Sequence, residues 1–465
     1  MLFFLSDQLE GLNADSYEYL FKPKNIPEVF SMPVIQFFRN LYCKHHKEES
    51  ISSEQQCIHQ NIRINILHGI FSIAAVNMVN PFISIFAMGL GASKMQVALL
   101  SSAPAIVSLL AMIPGAKFID KSSRKKDLTL LFMFANRLFY LSLISIPFFP
   151  PSLRPSVLVI LIAVMNFPGA IAGVGWQSFI SELIPPDHRA TAFASRNRIM
   201  NLVGTAVTLI TGLLLDQLNF PFNYQLMFGT AFLTSLVELH VFNLLKEPEL
   251  LHTDTDSQQP ANAPSSFLTN IKEIFSETPF IRYTLASILF YFAWQIPWPL
   301  FSWYQVKILG ANNAWISIFS LMSTAGSLIG FRFWVNFIEK HGNIKTLFFS
   351  TINIFIVPAV HAFFGNLYAI AAVELLAGTM FAGVNLALFN TLLEVIPNKS
   401  KTSYIAYYNS AITCATIISP LAGVSLLKIM NFKWAFITCA LLRLLGSFGF
   451  LALSLLEEKE GKSYH

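Results

Sequence analysis

From Ile64 onward the chain is a succession of long apolar runs broken by short polar ones. The runs fall near 64–90, 94–118, 127–148, 155–183, 191–215 and 222–245, then near 281–306, 312–338, 343–363, 367–395, 402–427 and 433–456. A helix needs about 20 apolar residues to cross a bilayer, so each run predicts one membrane-spanning helix. Between the sixth and seventh runs lies the chain's polar low-complexity stretch, His252-Thr-Asp-Thr-Asp-Ser-Gln-Gln-Pro-Ala-Asn-Ala-Pro-Ser-Ser266. It cannot bury a core and reads as a linker. The pattern divides the chain into a cytoplasmic N-terminal extension (1–61), a six-helix bundle (62–246), a cytoplasmic linker (247–278), a second six-helix bundle (279–457) and a cytoplasmic tail (458–465). This is the outline of an all-α polytopic membrane protein with twelve transmembrane helices in two pseudo-symmetric halves.

The halves repeat each other. Glu182, Ile184-Pro185, Arg189 and Asn197 recur at constant offset as Glu394, Ile396-Pro397, Lys401 and Asn409. Upstream, Ala172-Gly173-Val174 is echoed by Ala382-Gly383-Val384. A charged hinge, Ala116 to Lys126, separates the second and third runs, and Glu339 to Lys345 is its weaker counterpart. In each hinge an acid closes an apolar run and a basic turn follows.

Composition agrees with the pattern. Hydrophobic residues make up 54% of the chain and charged ones 12%, against roughly a quarter charged in soluble domains. The formal charge of +5 is spread over alternate connections and forms no nucleic-acid-binding face. With the N-terminus in the cytoplasm, the cytoplasmic side takes most lysines and arginines, and the other side keeps Lys94, Arg154, Lys307, Lys428 and Lys433. By the positive-inside rule both termini are cytoplasmic. Four cysteines give no disulfide framework, with Cys43 and Cys57 expected before the first helix. Cys43, His45, His46, Cys57 and His59 fit no zinc spacing, so no metal is expected there. The first residues lack the basic region of a signal peptide. No phosphate-binding glycine loop is present, which argues against ATP as energy source. His68, His240 and His361 lie on different runs without a motif, so nothing suggests an enzyme, and no cofactor is implied.

Polar residues inside the runs are the candidate solute path. Asn77, Asn80 and Ser84 share a face of the first run, and Asn166, Gly169, Gly173 and Gln177 one of the fourth. Tyr291, Trp294, Gln295 and Trp298 line the seventh, where Pro297 and Pro299 should bend the helix. Glu374, Gly378 and Asn385 share a face of the tenth. Close helix packing is the competing explanation for the asparagines and glycines. Arg137 and Glu238 lie at similar depth and read as a structural ion pair. Glu374 stands apart as a carboxylate for proton coupling or for a cationic solute group, with pairing to Arg443 as the alternative. Trp303 is assigned to the interfacial belt.

The first hinge resembles the loop between helices two and three of the major facilitator superfamily, Gly-x-x-x-Asp-Arg/Lys-x-Gly-Arg-Arg/Lys-Arg/Lys. The pattern falls on Ala116, Asp120, Lys121, Ser123, Arg124, Lys125 and Lys126, with both glycines replaced. In the second copy Gly342 is present, Glu339 stands for the Asp, and Asn343-Ile344 break the basic pair. The resemblance covers roughly residues 62–456. It implies a secondary transporter of a small organic solute working by alternating access, monomeric and resident in the plasma membrane (the inner membrane of a bacterium). An ion gradient, protons first, is the expected energy source, with the solute gradient itself as the alternative. Spans one, four, seven and ten would line the cavity. An acid at the C-terminal end of a helix needs a base, so Asp120 is expected to pair with Arg124 and Glu182 with Arg189. Together with Glu339, Lys345, Glu394 and Lys401 they would form a gate at the cytoplasmic face. The fifth run, Gly204 to Gly212, lacks the proline-containing glycine motif of many drug/proton antiporters, which tilts the reading away from a standard multidrug exporter. The alternative function is a sensor or partner-binding membrane protein that keeps the fold without transporting.

Overall fold

The computed structural model describes residues 53–120, 122, 124–246, 277–397 and 401–460. Cys43, His45, His46, Lys121 and Ser123 lie outside them. Eleven helices among the described residues are long and apolar enough to cross a membrane. A twelfth span comes in pieces: α8 (Thr278–Gln295), α9 (Trp298–Trp303) and a π-helical turn (Tyr304–Ile308). Pro297 and Pro299 sit at the break, where proline removes a backbone donor and clashes with the preceding turn. The bend expected from these prolines is therefore a full interruption.

The first span is α1 (Ser53–Val79), a 3-10 turn over Asn80–Phe82, and α2 (Ile83–Gly89). It begins well before its apolar run, so Cys57 lies on the first helix and not ahead of it, as the sequence reading had placed it. The reason is local: the polar segment before Ile64 contains nothing that breaks a helix, and tertiary contact holds it. Asn61 exchanges two hydrogen bonds with the backbone of Lys246, at 2.9 and 3.0 Å, tying this turn to the end of the sixth span. The second to sixth spans are α3 (Lys94–Asp120), α4 (Lys125–Ile144), α5 (Arg154–Leu183), α6 (Pro186–Leu215) and α7 (Phe222–Asn243). After the broken seventh come α10 (Asn313–His341), α11 (Asn343–Ile352) continuing into α12 (Ile356–Phe363), α13 (Leu367–Val395), α14 (Lys401–Ile429) and α15 (Phe432–Glu460). Gly342, at φ +79°, allows the tight turn between α10 and α11.

Each half packs its own core. Phe86, Tyr140, Leu158 and Phe228 centre the first, and Tyr283, Phe290, Leu347 and Phe450 the second. Close approach in the second half depends on glycine. A Cβ on Gly378 would sit 1.9 Å from the Ser323 carbonyl oxygen, and one on Gly326 1.9 Å from that of Leu375. Gly378 is thus a packing residue that brings α10 and α13 together, the small-residue geometry favoured in membranes.

The expected ion pair is formed. Arg137 donates to both oxygens of Glu238, at 2.9 Å each, and to Tyr140 Oη at 3.2 Å. His68 Nε2 lies 3.6 Å from the same carboxylate. The pair links the third and sixth spans at the heart of the first half, with Glu238 only 1% exposed.

Hydrogen bonds between the halves gather at the end remote from the basic hinges. Asp216, just past α6, accepts from the backbone of Asn313 (3.1 Å) and Ala314 (2.8 Å) and from Asn313 Nδ2 (2.8 Å). It thereby satisfies orphan donors at the start of α10, where the helix dipole also favours a negative charge. Tyr224 Oη donates to Asn313 Oδ1 (2.7 Å), Ser317 Oγ to the Thr208 carbonyl (2.9 Å) and Lys307 Nζ to the Met88 carbonyl (3.1 Å). Deeper, Thr205 and Thr324 meet at 3.3 Å.

Two outcomes are expected. Glu238→Ala strands the Arg137 charge and should cost about 3–5 kcal/mol. The paired change Arg137→Met with Glu238→Met should recover most of it, and thermal unfolding in detergent reads both. Asp216→Ala removes a cap worth about 1 kcal/mol, a roughly fivefold change in the equilibrium between joined and parted halves. Labelling of Ser84→Cys by an impermeant maleimide from the Lys94 side should accelerate accordingly. An unchanged rate would mean that Asp216 does not hold that end shut.

Candidate functional site

Behind this join lies a cavity of about 350 Å³ between the two halves. The first span contributes Pro81, Ser84 and Ile85, from the 3-10 turn and the start of α2. The broken seventh contributes Ser302, Gln305 and Val306, the last two from the π-helical turn. From α10 come Ile316, Phe319, Ser320, Ser323 and Thr324, and from α13 comes Glu374. The polar lining spaced at i, i+3 and i+4 marks one face of α10, as helical geometry requires. Asn312 and Asn366 cap α10 and α13 by accepting from Trp315 (3.1 Å) and Ala369 (2.7 Å). Both helices start at the joined end, so Ser320 and Glu374 lie about 10 Å below it at 1.5 Å per residue.

Glu374 is the single carboxylate in this lining. Among the described residues no side chain makes an ion pair with it within 4 Å, and no hydrogen bond reaches it. Arg443, the alternative partner, is turned elsewhere. It is 2% exposed and donates to the carbonyls of Ile354 (3.1 Å) and Trp294 (2.7 Å), with its guanidinium 5.5 Å from the Phe301 ring centre. Arg443 thus takes the Trp294 carbonyl, close to the break at Pro297.

The other candidate residues on the spans are placed differently. Asn77 is half-buried and fills the hollow over Gly204, its Nδ2 2.6 Å from where a Cβ would stand there. Asn80 is exposed in the 3-10 turn, next to the cavity-lining Pro81. Asn166 donates to the Ile162 carbonyl one turn back (2.7 Å). Gln177 and Asn385 are exposed. Tyr291 and Trp294 pack on each other at 5.5 Å between ring centres, and Trp298 meets Trp294 edge-on at 5.5 Å. Gln295 is half-buried at the end of α8, and Trp298 is 43% exposed. Of the candidate residues on the spans, Ser84 and Glu374 line the cavity. The break in the seventh span changes which face looks inward, so residues 302, 305 and 306 replace the 291–298 stripe. Trp303 packs against the first half's core beneath Lys94, whose Nζ is 5.9 Å from its ring centre.

At the basic end Glu182 pairs with Lys125 and not with Arg189. Arg189, in the first turn of α6, instead donates to the carbonyls of Ser181 and Ile184. It folds back over the end of α5, where helix carbonyls lack partners. In the second copy Glu394 accepts from Asn343 Nδ2 (2.6 Å), and Lys345 pairs with Glu458 (2.8 Å). Arg124 and Glu339 are exposed, Asp120 ends α3 and Lys401 opens α14. The Glu182, Glu394 and Lys345 contacts stay inside one half, whereas Asp216 crosses between halves. Asp216 was missed in the sequence. Its signal was an acid directly after the fifth apolar run, on the side poor in charge. The hydroxyl stripe of α10 was the corresponding signal for the cavity.

The family model of the Major Facilitator Superfamily matches residues 66–393 and 283–464. Comparison with curated protein sequences gives no match. Solved structures share the fold. A mutant of the nucleoside transporter NupG superposes with TM-score 0.65 at 12% identity, covering 84% of this chain and 99% of its own. A bacterial homologue of the iron transporter ferroportin, in an inward-facing state, gives TM-score 0.65 at 17% identity over 86% and 99%. A bacterial homologue of the human lysosomal transporter Spinster, also inward-facing, gives 0.57 at 13% over 87% and 99%. The twelve spans, the two halves and the family match agree: the chain belongs to the Major Facilitator Superfamily and is a multi-pass membrane transporter.

Proposed function

We propose that this protein is a secondary active transporter that moves a small organic cation by alternating access and exchanges it for protons at Glu374. The observation that carries the reading is a carboxylate without an ion-pair partner within 4 Å, in a hydroxyl-lined cavity between the halves. A carboxylate away from bulk water is costly unless a proton or a cation neutralises it. One site that holds either, but not both, makes the two fluxes depend on each other. The serine, threonine and glutamine groups around it supply hydrogen bonds to a polar solute. In this reading the Asp216 join closes one end, and the basic hinges face the cytoplasm. Parting the join while the hinge end closes would present the same cavity to the other side.

The test is transport by purified protein in liposomes under an imposed pH gradient, with a panel of organic cations and an internal pH dye. Cation-dependent proton movement is expected. Glu374→Gln should insert normally and lose the dependence on the pH gradient. Full pH-driven flux through well-inserted Glu374→Gln protein would overturn the proposal.

A further inference from the structure

His361, on α12, is 1% exposed and lies against Phe301 at 4.4 Å and Phe436 at 5.3 Å between ring centres. Its Nδ1 is 2.8 Å from the Val357 carbonyl oxygen. A carbonyl can only accept, so Nδ1 carries the hydrogen. In the neutral ring Nε2 is then an acceptor, and it lies 3.1 Å from Gln305 Nε2. That contact decides which way the Gln305 amide points. The amide nitrogen is committed to the histidine, and the amide oxygen is left over. Among the described residues no donor reaches this oxygen, and it is not one of the enclosed atoms lacking a partner. Gln305 lines the cavity, and with its amide nitrogen held by His361 the oxygen is the polar end left available to it.

The backbone supports the same arrangement. Gln305 sits in the π-helical turn Tyr304–Ile308. The wider turn rotates the side chain relative to a regular helix, a device found often at functional sites. The backbone carbonyl of Gln305 accepts from the Ala311 amide at 2.8 Å. The cavity thus holds a carboxyl group on α13 and a neutral acceptor on the seventh span.

We infer that His361 is a positioning residue that locks Gln305 as a hydrogen-bond acceptor in the cavity, making the site selective for organic cations that carry N–H donors over quaternary ammonium ions. This rests on the reading of the cavity as a cation site at Glu374. It adds what that reading leaves open, the chemical class of the cation. A guanidinium or primary ammonium can satisfy the carboxylate and the amide oxygen together. A quaternary ammonium can satisfy only the charge and leaves the amide oxygen unpaired, which carries a desolvation cost.

The probes are n-butylguanidinium and n-butyltrimethylammonium, which share chain and charge and differ in donors. Their affinities are read from the stabilisation of purified full-length protein on heating. The wild-type protein should prefer n-butylguanidinium by about tenfold, the scale of one hydrogen bond to a charged group. His361→Phe keeps the ring stack and removes the nitrogens. Gln305→Met keeps length and removes the acceptor. Each should bring the preference close to even by weakening n-butylguanidinium binding. Gln305→Met should also strengthen n-butyltrimethylammonium binding by removing the unpaired acceptor, whereas a merely structural role would weaken both cations together. Equal wild-type affinity for the two cations, or an unchanged preference in both variants, overturns the inference and leaves the cation reading standing. Binding of neither cation, or binding indifferent to Glu374→Gln, overturns both.

Discussion

A carboxylate held away from water must be neutralised, and this chain buries that problem twice with opposite answers. Glu238 is answered within the protein: Arg137 holds both its oxygens, and His68 stands close by. The charge is spent on fastening two helices of the first half. Glu374 has no ion-pair partner within 4 Å among the described residues, and it borders the cavity between the halves. A bundle built only on the first solution would be a stable block. The second gives it a reason to bind something.

The same economy governs where the halves touch. Each half has its own aromatic core and its own glycine-mediated contacts, so the surface between them need not carry the fold. What joins them is the packing of α6 on α10 and of α3 on α14, together with a small set of backbone-directed hydrogen bonds around Asp216 and Asn313. Such bonds are directional but individually modest, and they exchange readily with water. An interface of this kind can part without unfolding either side, which a continuous apolar core could not do.

The architecture was legible in the sequence because a bilayer imposes one strong rule, a long apolar run for each helix. The fourth apolar run, 155–183, became Arg154–Leu183. The Arg137–Glu238 pair was legible for the same reason, since lone charges at matching depth have few partners. The cavity was much less so. Serines and threonines in a membrane helix return a hydrogen bond to their own preceding turn, as Thr324 does to Ser320 (2.9 Å), so their presence does not reveal which of them faces a solute. The seventh span misled more directly. Its aromatic stripe, Tyr291 to Trp298, obeys helical spacing up to the break at Pro297, and beyond it the inward face is set by backbone geometry that periodicity does not encode. Glu182 was matched with Arg189 on proximity in sequence, yet Lys125 from another helix is its partner.

The pair of hydrogen bonds between Asn61 and Lys246 has a mechanical meaning. It staples the start of the first helix to the end of the sixth, closing six staves into a hoop. A hoop resists the sliding of any one stave. A tug on the segment leading into the first helix, or on the segment leaving the sixth, is shared by all six staves and not borne by one helix alone.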